Sequence, residues 1–293
     1  MFSHLINDIL IKRGDFKEDL EKLEEKIKEF ISENNEFAIL APFTLNRGKR
    51  IRSILYFLNW NNSSSIMKNK DYKTIALIEL MHFASIIHDD VVDNNNNRRN
   101  STSFMKKYGK KKSILFGDFI LIKTVNEFIK LHSKNEFVKT LFLRECSATA
   151  YGAVLEQGLM GNSSFQAYLR VISLKTSPFF KLVCFLGKFL STNDFKSAKK
   201  AALWGICFGI LFQAQNDFDG YNFKNFQESE DFMEKNITFP IIILRDEFGY
   251  DISKFYESNQ KNYTEIKSII NSNEFKMVSK KYFSKFLNYI ERI

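Results

Sequence analysis

The 293-residue sequence is poor in residues that break helices and in residues that cross-link chains. It contains 3 prolines and 12 glycines, too few for the many tight turns of an all-β or doubly wound fold. Its 3 cysteines, Cys146, Cys184 and Cys207, are widely spaced and odd in number, which argues against a disulfide framework or a zinc site. The longest apolar stretch, residues 201–214, is too short to span a bilayer. The first 20 residues already carry four acidic residues and resemble no signal peptide. We therefore expect a protein of the cytoplasm.

Helical periodicity dominates the sequence. Hydrophobic residues make up 44% of the chain, enough for a large core. Apolar residues recur at helical spacing in residues 19–33, and further helical patterns cover residues 74–92, 174–190 and 198–218. We find no internal repeat and no linker that would mark a second domain. The prediction is an all-α fold, a single-domain antiparallel helical bundle over residues 1–293.

The net charge of +9 fits three kinds of partner, namely nucleic acid, an anionic membrane or a phosphorylated small molecule. No nucleic-acid motif is present, so we expect no nucleic-acid partner. The 31 phenylalanines either fill the core or line a pocket for an apolar substrate.

A cluster of three carboxylates stands out near the end of a predicted helix. Asp89 and Asp93 are four residues apart and share one helix face, with Asp90 beside them. Carboxylates this close repel one another unless cations neutralise them. Magnesium suits the cluster, because it takes oxygen ligands and bridges a few carboxylates to substrate phosphates. The alternative is an ordinary exposed acidic face.

Basic residues and a histidine accompany this cluster. His82 lies seven residues before Asp89, about 10 Å along the same helix stripe at 1.5 Å per residue. Arg98 and Arg99 follow the helix, where guanidinium groups can bind diphosphate oxygens. These neighbouring residues favour a diphosphate-binding site over an ordinary exposed acidic helix face.

The combination of DDxxD, a paired arginine after it and a histidine before it resembles the trans-isoprenyl diphosphate synthases, the polyprenyl synthetase family. Five further segments are similar to family motifs and occur in the family's order. They are RGKRIRS at residues 47–53, GDFIL at 117–121, SLKT at 173–176, Phe212-Gln213 followed by acidic residues, and Asp231 with TFP at 238–240. The resemblance implies the isoprenoid synthase class I fold with a central prenyl-chain cavity.

The resemblance also implies a reaction, its ligands and the residues that serve it. The reaction joins isopentenyl diphosphate to an allylic prenyl diphosphate with Mg²⁺, three ions per site, in a homodimer that contacts the membrane surface when it releases product. Metal ligands are Asp89 and Asp93 with Asp90 in support, and Asn216 and Asp217 of a second motif. Residues for the allylic diphosphate are Arg98 and Lys175, and those for isopentenyl diphosphate are Lys49, Arg52, His82 and Arg99. Thr176 and Gln213 stabilise the carbocation through their dipoles.

The second Asp-rich motif departs from the family pattern. The expected DDxxD falls on residues 216–220, where Asn216 replaces its first aspartate and Gly220 its last. An Asn offers magnesium an uncharged oxygen. At position 236, where the family pattern has a lysine, this sequence has Asn236, and the neighbouring Lys235 is the predicted substitute. We expect a weakened third metal site.

Two alternatives remain open. One is a class I terpene cyclase on the same fold, and the other is a non-catalytic partner subunit of a heteromeric synthase. Small residues at Ser85 and Ala84, four and five before Asp89, favour a product of twenty carbons or more, geranylgeranyl diphosphate or a longer chain.

Overall fold

The structure, a computed structural model, describes residues 3–33, 35–45, 48–61, 65–98, 101–223, 227, 229–233, 235–255, 257 and 259–290. Within these ranges the regular secondary structure is helical apart from one short hairpin, and the all-α prediction is confirmed. The first helices are α1 (Ser3–Ile11), α2 (Lys17–Ser32), α3 (Ala41–Thr44), α4 (Ile51–Asn61), α5 (Asn69–Val92), α6 (Phe104–Tyr108), α7 (Lys110–Leu131) and α8 (Glu136–Glu156). They are followed by α9 (Phe165–Lys175), α10 (Ser177–Thr192), α11 (Phe195–Asp219), α12 (Glu230–Met233), α13 (Phe239–Phe248), α14 (Ile252–Phe255), α15 (Gln260–Ile270) and α16 (Asn273–Ile290). Short 3₁₀ helices cover Lys12–Phe16 and Asn35–Leu40, and the hairpin pairs β1 (Asn97–Arg98) with β2 (Ser101–Thr102).

The described residues group into two compact units. The N-terminal unit comprises residues 7–146 and 179–205, and the C-terminal unit comprises residues 1–6, 147–178 and 206–293. The single domain over residues 1–293 stays a prediction. No helix in the described part of the chain combines the length and the apolar character that crossing a membrane requires.

Helix α5 is the central helix of the N-terminal unit and packs against α2 and α7. It is apolar nearly all round, and its buried residues include Ile75, Ile78 and Ala84, as expected for a helix enclosed by neighbours. The apolar stripe predicted for α2 faces inward, with Leu23 and Ile27 almost fully buried.

Both ends of α5 are determined by local sequence. At its start the backbone N–H of Lys68 donates to the Asp71 carboxylate at 2.8 Å. At its end the N–H of Asp93 donates to the Asp89 carbonyl, and Asn94 adopts a left-handed φ of 52°. Asparagine tolerates this conformation better than most residues, so the helix stops where the run of asparagines begins.

An aromatic cluster forms the core of the C-terminal unit. Phe232, Phe239 and Tyr263 are fully buried in it, and Tyr168 and Phe218 nearly so. These phenylalanines fill the core, which was one of the two roles predicted for this residue type.

The sequence pattern suggested one helix across residues 174–190, but the structure divides this stretch. Helix α9 ends at Lys175 and α10 begins at Ser177. Pro178 lies in the first turn of α10, where its missing N–H needs no partner, whereas inside a continuous helix it would remove a hydrogen bond. The break places Lys175 and Thr176 at a helix junction.

Candidate active site

The three carboxylates of the first motif lie at the C-terminal end of α5, with Asp89 and Asp90 in its last turn and Asp93 as the capping residue after it. Asp89 and Asp93 are partly exposed, one turn apart, whereas Asp90 is buried at 2% exposure. Asp90 is thus the inward member of the cluster, about 100° around the helix from Asp89 and about 60° from Asp93. Carboxylates at a helix C-terminus also meet the negative end of the helix dipole, which makes a cation next to Asp89 and Asp93 more favourable.

Helix α7 holds this end of α5 in place through His88. The His88 Nε2 lies 3.1 Å from Oδ1 of Asp118. A Cβ added at Gly117 would lie 2.3 Å from the same Nε2, so any larger residue there would require the ring to shift. The Gly-Asp pair of the 117–121 segment is thus a packing contact that supports the carboxylate cluster.

The hairpin that follows α5 carries Arg98. Its backbone pairs with Ser101, and Ser103 closes the turn by donating its hydroxyl to the Asn95 carbonyl at 2.6 Å. The Arg98 side chain and all of Arg99 lie outside the described residues. Their roles stay predictions.

His82 lies two turns before Asp89 on α5 and is partly buried. The Ser85 hydroxyl donates to the His82 carbonyl at 2.7 Å and lies 3.4 Å from Nδ1 of its ring. The predicted spacing of His82 and Asp89 on one helix stripe is present.

The basic segment at residues 49–52 divides into exposed and buried cations. Lys49 is exposed, and the guanidinium of Arg52 stacks 4.6 Å from the ring centroid of Phe180. These observations do not test substrate binding, so the roles of Lys49 and Arg52 stay predictions.

Arg50, which the sequence analysis left unassigned, is a buried structural cation. Its guanidinium contacts Glu24 at 2.8 and 3.1 Å, Glu79 at 3.3 Å and the Thr44 carbonyl at 2.7 Å. Burial lowers the pKa of Arg50, but the carboxylates of Glu79 and Glu24 outweigh it and raise that pKa above its ordinary value. The Ser53 hydroxyl donates to the other oxygen of Glu79 at 2.5 Å. This network ties the basic segment to α2 and α5, and the sequence signal for it is a glutamate within the apolar stretch of α5.

A hydrogen-bonded chain connects the predicted polar residues of the C-terminal unit. The Thr176 hydroxyl donates to Oε1 of Gln213 at 3.1 Å, and Nε2 of Gln213 donates to Oδ1 of Asp217 at 2.8 Å. Thr176 and Gln213 were predicted to act together, and the structure brings them into contact. Next to them, the Lys175 ammonium forms an ion pair with Glu156 of α8.

Asp217 faces the interior of the C-terminal unit. Its Oδ2 accepts hydrogen bonds from the Tyr168 hydroxyl at 2.6 Å and the Phe239 backbone N–H at 3.0 Å. Burial raises the pKa of Asp217 to about 6, and the hydrogen bonds from Tyr168, Phe239 and Gln213 oppose that rise. A metal at Asp217 would have to compete with these donors. The role of Asp217 as a metal ligand stays a prediction. The sequence analysis did not identify Tyr168 as its hydrogen-bond partner.

Asn216 is exposed beside Asp217 on α11. Lys235, the predicted substitute for a lysine at 236, is also exposed and adopts a left-handed φ of 61°. Asn236 donates its side-chain amide to Oδ1 of Asp231 at 3.3 Å. The binding roles of Asn216 and Lys235 stay predictions.

Among the described residues, no three acidic, histidine or cysteine side chains converge closely enough to hold a metal by themselves. Asp89 and Asp93 still fit magnesium, because Mg²⁺ in phosphate-binding sites commonly takes one or two carboxylates and completes its shell with water and phosphate oxygens. Hard carboxylate oxygens on the exposed side of one helix turn match that requirement.

Comparisons with known proteins identify related sequences and folds. At the sequence level, a geranylgeranyl diphosphate synthase from Saccharolobus solfataricus is 27% identical over 217 residues, 70% of this chain and 64% of that protein. A decaprenyl-diphosphate synthase from Dictyostelium discoideum is 29% identical over 180 residues, 60% of this chain and 38% of that protein. The chain thus spans less than two thirds of the length of either relative.

Solved structures share the fold. A polyprenyl synthase from Caulobacter crescentus, complexed with calcium and isoprenyl diphosphate, aligns with a TM-score of 0.82 at 20% identity, covering 97% of this chain and 90% of that one. A heptaprenyl diphosphate synthase from Staphylococcus aureus aligns with a TM-score of 0.79 at 24% identity, covering 95% and 92%. The predicted all-helical isoprenoid synthase fold is confirmed.

The family profile described as Polyprenyl synthetase matches residues 37–273. That match takes in parts of both compact units and far more than half of the 293 residues. The chain therefore belongs to the polyprenyl synthetase family.

Proposed function

We propose that the chain is a prenyltransferase that condenses isopentenyl diphosphate with an allylic diphosphate in head-to-tail chain elongation. The observation that carries the proposal is the partly exposed pair Asp89 and Asp93 at the C-terminal end of α5. It is supported by the family membership and by the names of both sequence relatives. Magnesium is the proposed metal, with a weakened third site at the altered second motif.

Bound magnesium would supply positive charge to the leaving diphosphate when the allylic carbon–oxygen bond breaks. Arg98 and Lys175 are proposed to bind the allylic diphosphate, and Lys49, Arg52 and Arg99 to bind isopentenyl diphosphate, because guanidinium and ammonium groups donate strong hydrogen bonds to phosphate oxygens. The Thr176–Gln213 pair presents oriented dipoles that favour a nearby cation. Arg50 makes no such contribution, since its guanidinium is committed to Glu24 and Glu79.

The first test is incubation of the purified chain with Mg²⁺, labelled isopentenyl diphosphate and each allylic primer in turn. Linear labelled prenyl diphosphates are the expected products. Asp89→Asn should lower turnover at least about a hundredfold, the scale on which removal of one charge-stabilising group acts. Asp15→Asn, an exposed carboxylate paired with Lys12, is the matched control and should leave turnover unchanged. A cyclic hydrocarbon from the primer alone would instead identify a terpene cyclase, and no incorporation at all would support a partner-subunit role.

We further propose a product of twenty carbons or more. Ser85 lies one turn before Asp89 on the same face of α5, whereas Ala84 points elsewhere and is fully buried. Ser85→Phe should therefore shorten the product, and sizing of the labelled chains measures the change. An unchanged product would place the end of the cavity away from this turn.

We also propose a homodimer that uses α7. Leu115, Phe119 and Ile122 recur at helical spacing on this helix and are 68%, 42% and 65% exposed. Light scattering should give a mass twice that of one chain, and Ile122→Glu should yield a monomer. A monomeric wild type would contradict the proposal. A requirement for a second, different chain would contradict it too, and the name of one relative, heptaprenyl diphosphate synthase component 2 of Bacillus subtilis, points to that alternative. The cytoplasmic location and the membrane contact on product release stay predictions.

A further inference from the structure

The first half of α11 has a buried face of small residues and an exposed face of large ones. Ala198, Ala202 and Gly205 are buried and pack inward. The exposed face combines three lysines with three apolar side chains that are 42%, 43% and 43% exposed. Its members are Lys196, Lys199 and Lys200, and Phe195, Leu203 and Trp204. Exposed apolar residues that lie together among polar ones mark a contact surface.

Phe137, at the start of α8, extends this exposed face. Its ring centroid lies 5.3 Å from that of Phe195, and its side chain is 41% exposed. Phe185 and Phe189 of α10 support the pair, with ring centroids 5.8 and 6.3 Å from that of Phe195. The Lys199 ammonium lies 4.8 Å from the Phe195 ring centroid, so a cation covers part of the aromatic surface. We call Phe137 and the six exposed residues of α11 the aromatic–lysine face.

The aromatic–lysine face carries a net positive charge. Two nearby acidic groups are already engaged. Asp194 caps α11 by accepting the backbone N–H of Lys196 at 2.9 Å, and Glu136 forms an ion pair with Lys139 at 2.7 Å. The three lysines of the face therefore outweigh the acidic groups beside it, which suits an anionic partner.

This face lies at the end of the N-terminal unit opposite to Asp89. The Thr74 hydroxyl, near the start of α5, lies 2.9 Å from Nε2 of His132, and a short turn leads from His132 to Phe137 in α8. Asp89 is about 22 Å further along α5, at about 1.5 Å per residue. A partner on the aromatic–lysine face would leave the Asp89 end of α5 open to dissolved ligands.

We infer that the aromatic–lysine face docks on an anionic lipid bilayer, with its apolar side chains at the headgroup boundary and its lysines against the lipid phosphates. Aromatic side chains favour that boundary, and lysines beside it are attracted to an anionic leaflet. A second copy of the chain fits less well, because a twofold interface would bring the same three lysines face to face. The inference goes beyond the proposed reaction and does not depend on it.

Tryptophan fluorescence tests the docking. The chain has 2 tryptophans, and Trp60 is 4% exposed with its indole N–H bound to the Ser65 carbonyl at 2.8 Å. A blue shift on addition of vesicles therefore reports on Trp204. We expect the shift with vesicles of equal parts phosphatidylcholine and phosphatidylglycerol, and none with phosphatidylcholine alone. Trp204→Phe should still co-sediment with the anionic vesicles and should lose the shift.

Two triple variants with the same change in charge separate this face from general attraction. Lys196→Gln, Lys199→Gln and Lys200→Gln together should weaken vesicle binding about a hundredfold, since each lysine at an anionic surface contributes about fivefold. The matched control replaces residues 110–112, three exposed lysines at the start of α7, by glutamine. It should lose no more than about fivefold, the effect of one lysine. Equal losses in the two variants would overturn the inference.

Leu203→Glu tests the apolar contact and should abolish the blue shift. Its side chain is 43% exposed, so the variant should keep the far-ultraviolet circular dichroism of the wild type. No shift of the wild type with anionic vesicles, or binding to double-stranded DNA without binding to vesicles, would refute the docking. A Leu203→Glu chain with half the wild-type mass in light scattering would show instead an interface between copies. Vesicle binding is measured without turnover, so its failure leaves the elongation reaction untouched, and the reverse also holds.

Discussion

Replacing Arg50 by methionine should destabilise the fold far more than replacing its neighbour Lys49. The change leaves the carboxylates of Glu79, 6% exposed, and Glu24, 19% exposed, without their shared cation. Removing one partner of a buried ion pair costs about 3–5 kcal/mol, because the remaining charge stays desolvated. In a chain of this size that corresponds to a fall in melting temperature of about 6–20 °C.

The assay is urea and thermal unfolding followed by far-ultraviolet circular dichroism at pH 7. Lys49→Met is the matched control: its side chain is exposed, so its free energy of unfolding should stay within about 0.5 kcal/mol of the wild type. Adding Glu79→Gln to Arg50→Met removes the stranded charge and should recover part of the loss. If Arg50→Met unfolds with the wild-type free energy, the buried network does not hold the basic segment and the reasoning fails.

Three further predictions concern single contacts. Glu156→Gln weakens the ion pair of the Lys175 ammonium and should change the KM for the allylic diphosphate more than it changes kcat. Equal changes in KM and kcat would contradict a binding role for Lys175. Burial lowers the pKa of His132 to about 4. Between pH 6.5 and about 4 this histidine is protonated in the unfolded chain but still neutral in the folded chain, so the wild type should lose stability as the pH falls through that range. The non-titrating His132→Gln should lose less between pH 7.5 and 5 in urea titrations, and parallel losses would show that another group is responsible. Gly117→Ala should lower the melting temperature by several degrees, because its Cβ would lie 2.3 Å from the His88 ring, and an unchanged value would show that the ring moves freely.

The first acidic motif could be predicted from sequence because it depends on one helix. A period of 3.6 residues fixes Asp89 and Asp93 on one face, and the asparagines after them mark where the helix ends. The structure agrees on both points.

Residues that depend on distant partners could not be assigned in this way. Arg50 looks like Lys49 in the sequence, and only contacts with Glu24 and Glu79, 26 and 29 residues away, make it a buried structural cation. The environment of Asp217 depends on Tyr168, 49 residues away. Spacing along one helix contains no information about either contact.

The hydrogen bonds of Asp217 also bear on how an acidic motif changes during evolution. The carboxylate joins α9, α11 and the start of α13, so its loss would disturb three helices, whereas Asn216 and Gly220 at the ends of the motif contact solvent and a neighbouring acid. Substitution of the exposed Asn216 should therefore disturb folding less than substitution of Asp217, which would leave three hydrogen-bond donors without their acceptor. A motif treated as one unit of chemistry therefore contains positions under two different physical constraints, and its outer positions can change at less cost to the fold than its inner one.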